Sequence, residues 1–123
     1  MATRSYIGKV NQDQTISAIY CHWDGYPSNN GRILLHNYET EDKVDLLLSK
    51  GDLSILGESV DTSSYYEDDG NKFPMQVRDL SVLFNEGKNC WIEYYYLYDN
   101  GYWKCFDYDC EPISIVEAIK EAG

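Results

Sequence analysis

Cys90-Trp91-Ile92-Glu93-Tyr94-Tyr95-Tyr96-Leu97-Tyr98 and Tyr102-Trp103-Lys104-Cys105-Phe106-Asp107-Tyr108 flank the short segment Asp99-Asn100-Gly101. Asn-Gly between two β-prone runs is a strong hairpin signal, because the tightest hairpin turn needs positive φ at both central residues. Nine of the 18 residues from Trp91 to Tyr108 are aromatic, more than one core face needs. Part of that surface is therefore expected to pack against a second copy of the chain, since Tyr and Trp are favoured at interfaces.

Working outward, Tyr6-Ile7-Gly8-Lys9-Val10, a polar turn at Asn11-Gln12-Asp13-Gln14, and Thr15 through Trp23 read as another hairpin. In its return strand Ser17, Ile19, Cys21 and Trp23 share one face and Ile16, Ala18, Tyr20 and His22 the other. Both faces are apolar enough for a central strand. Between the hairpins lie helical segments. Ser28 or Asn29 can cap one through Ile33-Leu34-Leu35. Thr40 can cap the next, with Glu41 and Asp42 in its first turn, Val44, Leu47 and Leu48 on one face, and Lys50-Gly51 at its end. Asp52 to Gly57 resembles a short extra turn. Glu58 to Asp69 holds five acids and no base and reads as a long loop. Asp79 starts a helix with Leu80, Leu83 and Phe84, closed by Gly87. Pro112 suits the first turn of a last helix with a stripe at Ile113, Val116 and Ile119. The predicted fold is α+β: an antiparallel sheet of two hairpins, covered on one side by three to four helices, in a single domain over residues 1–123.

Composition narrows the function. With 123 residues, the chain has room for one real core. Net charge is -11, with only Arg4, Arg32 and Arg78 as arginines. Such a surface repels nucleic-acid backbones and anionic membranes, so neither is expected as a general partner. The charge is uneven: residues 1–37 carry +1 and residues 38–123 carry -12. No apolar run is long enough for a membrane span or leader, and a cytoplasmic location is expected. Cys21, Cys90, Cys105 and Cys110 form no C-x-x-C pair, so reduced thiols are expected, with Cys21 and Cys90 as small buried strand residues. Cys21-His22 has no second pair at zinc-ligand spacing. There is no G-x-S-x-G, Walker loop, G-x-G-x-x-G or H-E-x-x-H. No catalytic residue, metal or cofactor is expected. Glu93 and Asp107 could pair across the hairpin, but a solvated strand face explains them more simply.

Binding chemistry is better represented. Trp23-Asp24-Gly25-Tyr26-Pro27 sets two rings on a tight turn beside a helix start, where free N–H groups suit a small anion. A ring can stack a base while a guanidinium takes a phosphate through paired donors. Phe73 and Arg78, flanking Pro74, repeat that combination. The plainer reading makes Trp23 a core residue with Tyr26 as its lid and leaves each arginine on a neighbouring carboxylate.

Ala18-Ile19-Tyr20-Cys21-His22-Trp23-Asp24-Gly25-Tyr26-Pro27, with Gly31-Arg32-Ile33-Leu34-Leu35, Tyr38, Lys43-Val44 and Gly51-Asp52-Leu53-Ser54-Ile55-Leu56-Gly57, resembles small phage and prophage proteins, and among them the Thoeris anti-defence proteins of the first type. The resemblance covers residues 2–57; from Glu58 onward only the general plan of loop, helix, tyrosine-rich hairpin and closing helix is similar. It implies a viral sponge in the host bacterial cytoplasm, one that sequesters glycocyclic ADP-ribose, the messenger of a TIR-domain defence, without cleaving it. It also implies homo-oligomers (a dimer or a trimer of dimers) with pockets at subunit boundaries, and in some relatives a separate site for cyclic oligonucleotides. On chemical grounds Trp23, Tyr26 or Phe73 would stack the adenine, Arg32 and Arg78, with Arg4 in reserve, would hold the pyrophosphate, and Asp24 or Asn29 would meet ribose hydroxyls. Two alternatives remain open: an acidic inhibitor in which Glu67-Asp68-Asp69 mimics nucleic acid against a defence protein, and an enzyme that degrades the messenger.

Overall fold

The computed structural model describes residues 2–66 and 73–122. In chain order these form β1 (Ser5–Val10), β2 (Ile16–Cys21), one π-helical turn (Pro27–Gly31), α1 (Arg32–Asn37), α2 (Glu41–Ser49), β3 (Leu53–Ile55), β4 (Ser64–Tyr65), β5 (Met75–Val77), α3 (Leu80–Asn89), β6 (Tyr94–Asp99), β7 (Tyr102–Phe106), β8 (Pro112–Ile113) and α4 (Ile115–Ala122). The class is α+β, with one eight-stranded sheet ordered β4-β3-β2-β1-β6-β7-β8 and β5 also paired to β2. None of the described helices is long and apolar enough to cross a membrane.

Both expected hairpins form. Tyr6 faces Tyr20 and Ile7 faces Ile19 across β1 and β2; Tyr96 faces Cys105 and Tyr98 faces Trp103 across β6 and β7. Asn100 and Gly101 sit at φ 52° and 89°, the paired left-handed turn that Asn-Gly favours. The sheet as a whole is mixed rather than antiparallel. β1 runs parallel to β6, from Ser5 opposite Tyr94 to Lys9 opposite Tyr98, and β2 meets β3 in parallel at Cys21 and Leu53. Side-chain alternation reports which face a residue takes, not which way the neighbouring strand runs. A parallel junction needs a long crossover, and the segments between the hairpins supply it.

The sheet is covered on both faces, not one. Ile7, Ile19, Cys21, Tyr96, Tyr98 and Cys105 pack beneath α1, α2 and α4, together with Leu34, Val44, Leu47 and Ile115. Tyr6, Ile16, Ala18, Tyr95 and Leu97 pack on the other face with Leu83 of α3. The doubly apolar strands required this. Thr40 caps α2 as expected, its Oγ1 accepting from Lys43 N, and Val44, Leu47 and Leu48 form the buried stripe. Asp79 caps α3 through Val82 N, but the helix runs past Gly87 to Asn89. Three other local expectations fail. Neither Ser28 nor Asn29 caps the helix after Tyr26, because Pro27–Gly31 is a π-helical turn with no side-chain cap. Residues 53–55 pair with β2 and β4 instead of turning. Pro112 and Ile113 pair with β7, so α4 starts at Ile115 with Ser114 Oγ accepting from Glu117 N, and Val116 faces solvent.

The chain's own core takes up much of the tyrosine surplus. Tyr95, Tyr96 and Tyr98 are buried, while Trp91, Tyr102 and Tyr108 stay exposed. Buried hydroxyls reach loop carbonyls: Tyr96 Oη donates to Gly25 O at 2.6 Å, Tyr98 Oη to Glu39 O at 3.0 Å and Tyr38 Oη to Gly57 O at 3.0 Å. Burial is the main cause that raises the phenols of Tyr6, Tyr20, Tyr95 and Tyr96 above their ordinary value, those of Tyr20 and Tyr95 to about 12. A raised folded value favours the fold fully below the unfolded tyrosine value of about 10, and the advantage is lost as pH climbs. The urea midpoint is therefore expected to hold steady up to about pH 9.5 and then fall steeply toward pH 12, phenolate absorbance rising with unfolding. A midpoint that stays flat across that interval would contradict the burial of these rings.

Candidate functional site

Arg4, Tyr6, Ala18 and Tyr20 project from the face that α3 covers, because alternate residues of a strand share a side. α3 ends before it covers them all. The gap is a cleft of about 500 Å³, floored by Tyr6, Ala18 and Tyr20 and walled by Glu86, Cys90 and Trp91, with Arg4, Asp52 and Met75 around its opening. That size lies within the range of small-molecule sites.

Its parts are held from several directions. The Tyr6 and Tyr20 rings meet edge to face at 6.5 Å, and Tyr6 meets Tyr95 the same way at 6.0 Å. Tyr20 Oη lies 2.6 Å from His22 Nδ1, and Tyr20 N donates to Asp52 Oδ1 at 2.9 Å. Arg4 Nη1 donates to Cys90 O at 3.2 Å, and Arg4 O accepts from Glu93 N at 2.9 Å. Among the described residues no carboxylate pairs with Arg4 or with Arg32, whereas Arg78 is paired with Asp79. Burial raises the Tyr20 phenol against the lowering pull of Arg4, and burial with the neighbouring Cys90 raises that of Tyr6. Both rings are thus neutral at pH 7. The cleft is lined by the aromatic rings of Tyr6, Tyr20 and Trp91, a guanidinium with donors to spare, and the acceptor of Glu86. Those groups can stack a heterocycle, hold a phosphate and take hydroxyl protons.

Of the residues singled out from sequence, Arg4 lies in this cleft and the rest lie elsewhere. Trp23 is 42% exposed, edge-on to His22 at 4.7 Å. Asp24 takes φ 57°, and Asp24 O accepts from Asn29 Nδ2 at 3.0 Å. Asn29 spends its amide there and on Asn30 Oδ1. Arg32 Nε donates to Ser28 O. Tyr26 lines a groove with Tyr94, Ser114 and Glu117, and Phe73, 78% exposed, lines another cavity with Lys9 and Ser49. Arg78 forms a solvated pair with Asp79 at 3.1 Å, the plain reading of an arginine. The three candidates that line cavities therefore line three different ones. Glu67, Asp68 and Asp69 lie outside the described residues.

Much of the Cys21–Gly31 stretch serves architecture. A Cβ at Gly25 would lie 2.7 Å from Thr3 O and 2.8 Å from Ser5 Cβ, too close for any residue but glycine. Asn30, fully buried, donates to Ser5 Oγ at 3.2 Å and Cys21 Sγ at 3.4 Å, and so ties the π-helical turn to the adjoining strands.

Sequence reasoning missed Tyr6, Tyr20, Glu86 and Trp91. Tyr6 and Tyr20 carried a usable signal, since the first hairpin's register already sets them opposite each other on one face. Trp91 carries none, because its aromatic-rich segment reads as strand. Cys90, also read as a buried strand residue, is an exposed helix cap. All four cysteines are free thiols, and among the described residues no group of three or more His, Cys, Asp or Glu is placed to hold a metal ion.

The result is an α+β chain with an arginine set in an aromatic-walled cleft. Comparison with protein-family models, curated proteins and solved structures found no match for the chain.

Proposed function

We propose that this protein is a viral anti-defence sponge that captures a cyclic nucleotide messenger of the glycocyclic ADP-ribose class and holds it intact. The observation that carries the proposal is the placement of Arg4 beside Tyr6, Tyr20 and Trp91 in one cleft of about 500 Å³. In a protein of net charge -11, a phosphate ligand needs a local cation that no carboxylate already occupies. Arg4, like Arg32, has no carboxylate partner among the described residues, and of the two it is Arg4 that lines the cleft. Its free donors would hold the pyrophosphate, a ring would take the adenine, and Glu86 would accept from ribose hydroxyls. The likeness of residues 2–57 to the Thoeris anti-defence proteins supports the same reading. On that reading the protein would act in the host bacterial cytoplasm as a homo-oligomer, for which the exposed Tyr102 and Tyr108 would serve as contact surface.

Calorimetric titration with glycocyclic ADP-ribose, followed by heating and chromatography of the released ligand, tests the proposal. Tight binding with release of unchanged ligand is expected. Recovery of a product instead would make the protein an enzyme. No heat and no depletion would overturn messenger capture and favour an acidic inhibitor acting on a protein partner.

A further inference from the structure

Trp91 occupies a backbone position that a tryptophan fills at a cost. Cys90 N and Ile92 N both donate to Gly87 O, at 3.1 and 2.9 Å, and between them Trp91 takes φ 61°. The bond from Ile92 back to the third-last residue of α3 marks a Schellman ending, whose left-handed residue is usually glycine. A Cβ in that region crowds the backbone, most of all on a bulky side chain. The fold gains little packing in return, because the indole is 69% exposed. The apolar contact that normally accompanies such an ending falls to the next residue, Ile92, which is fully buried.

What Trp91 does gain is position. It walls the cleft that Tyr6 and Tyr20 floor, one residue from the Cys90 carbonyl on which the Arg4 guanidinium rests. Strain held at a binding cleft, where a strain-free residue would end the helix equally well, points to use of the side chain. We propose that Trp91 is the stacking platform of the cleft and sets its specificity: the ligand must carry a planar heterocycle within one nucleotide unit of the phosphate held by Arg4. This rests on the messenger-capture reading and names the residue that selects the base. The adjacency of indole and guanidinium suits a nucleoside phosphate and gives no equivalent grip to a sugar phosphate that lacks a base.

The test compares wild type, Trp91→Gly and Trp91→Phe in thermal melts and in titrations with glycocyclic ADP-ribose and with AMP, followed by indole fluorescence. Trp91→Gly is expected to melt a few degrees higher, because glycine relieves the left-handed strain, yet to bind roughly tenfold to hundredfold more weakly. Trp91→Phe should keep most of the affinity and silence the fluorescence change. Unchanged affinity in Trp91→Gly, or a lower melting temperature showing that the indole packs for stability, would overturn the inference while leaving messenger capture intact. A wild type that ignores glycocyclic ADP-ribose but shows Trp91-dependent quenching by AMP would keep the stacking role and overturn the messenger. Binding of glycocyclic ADP-ribose without any Trp91-dependent quenching would overturn the stacking role alone, and binding of neither ligand would overturn both.

Discussion

Replacing Arg4 with Ala is expected to weaken binding of glycocyclic ADP-ribose by roughly a hundredfold, because a charge-assisted hydrogen bond contributes about 1.5–3 kcal/mol and a forked guanidinium can make two. The fold should survive the change. Arg4's structural contact with β6's approach runs through its backbone oxygen, which accepts from Glu93 N, and its side chain adds one bond to Cys90 O. Arg4→Lys should recover part of the affinity, since an ammonium keeps the charge and loses the fork. Arg32→Ala and Arg78→Ala are expected to stay within about threefold of wild type, as exposed arginines resting on Ser28 O and on Asp79. The three single variants, titrated in parallel and melted as controls, give a pattern rather than one number. Loss at Arg78 or Arg32 with Arg4→Ala unaffected would overturn the cleft and move the pocket to a boundary between subunits.

A large loss of stability is expected at Asn30. Its side chain is fully buried, donates to Ser5 Oγ and Cys21 Sγ, and accepts from Asn29 Nδ2. Asn30→Ala strips all of these partners at once and leaves a small void. A cost of about 3 kcal/mol follows, from buried polar groups left without partners. In a chain of this length that lowers the melting temperature by about 10 °C. Asn30→Asp separates polarity from shape. Burial would raise the new carboxyl's pKa, so its damage is complete at neutral pH and eases as pH falls and the group takes up a proton. Chemical denaturation at two pH values measures both effects. An Asn30→Ala protein as stable as wild type would contradict the tie between the π-helical turn and the sheet.

Legibility from sequence followed the range of the forces involved. The Asn100-Gly101 turn, the Thr40 and Asp79 caps and the buried stripe Val44-Leu47-Leu48 depend on neighbours a few residues away, and the text announces them. The double covering of the sheet is latent in the apolar faces of Ile16 to Cys21, although helix count and order alone suggest a sheet covered on one side. The parallel union of β1 with β6 left no local trace, since it depends on how two finished hairpins meet. The site was harder to read for the same reason. Arg4 was recognised by its rarity in an acidic chain, but its neighbours come from β1, β2, β5 and the end of α3. The Cys21–Gly31 stretch was conspicuous because a glycine under steric pressure and a buried asparagine need unusual residues, and conspicuousness was read as ligand chemistry. Trp91 was hidden by its company: among so many aromatics, nothing local distinguishes a strand residue from a strained helix ending.

The seam between β1 and β6 also governs the order in which this molecule can assemble. Residues 5–9 find their parallel partners only at 94–98, so one edge of the N-terminal hairpin stays open until most of the chain exists. Each hairpin closes a short loop quickly, while their union must overcome the entropy of a very long one. Synthesis therefore passes through a stage in which a strand destined for the middle of the sheet is an edge, and the rate of that last closure, more than the strength of either hairpin, sets how long the chain is open to mispairing.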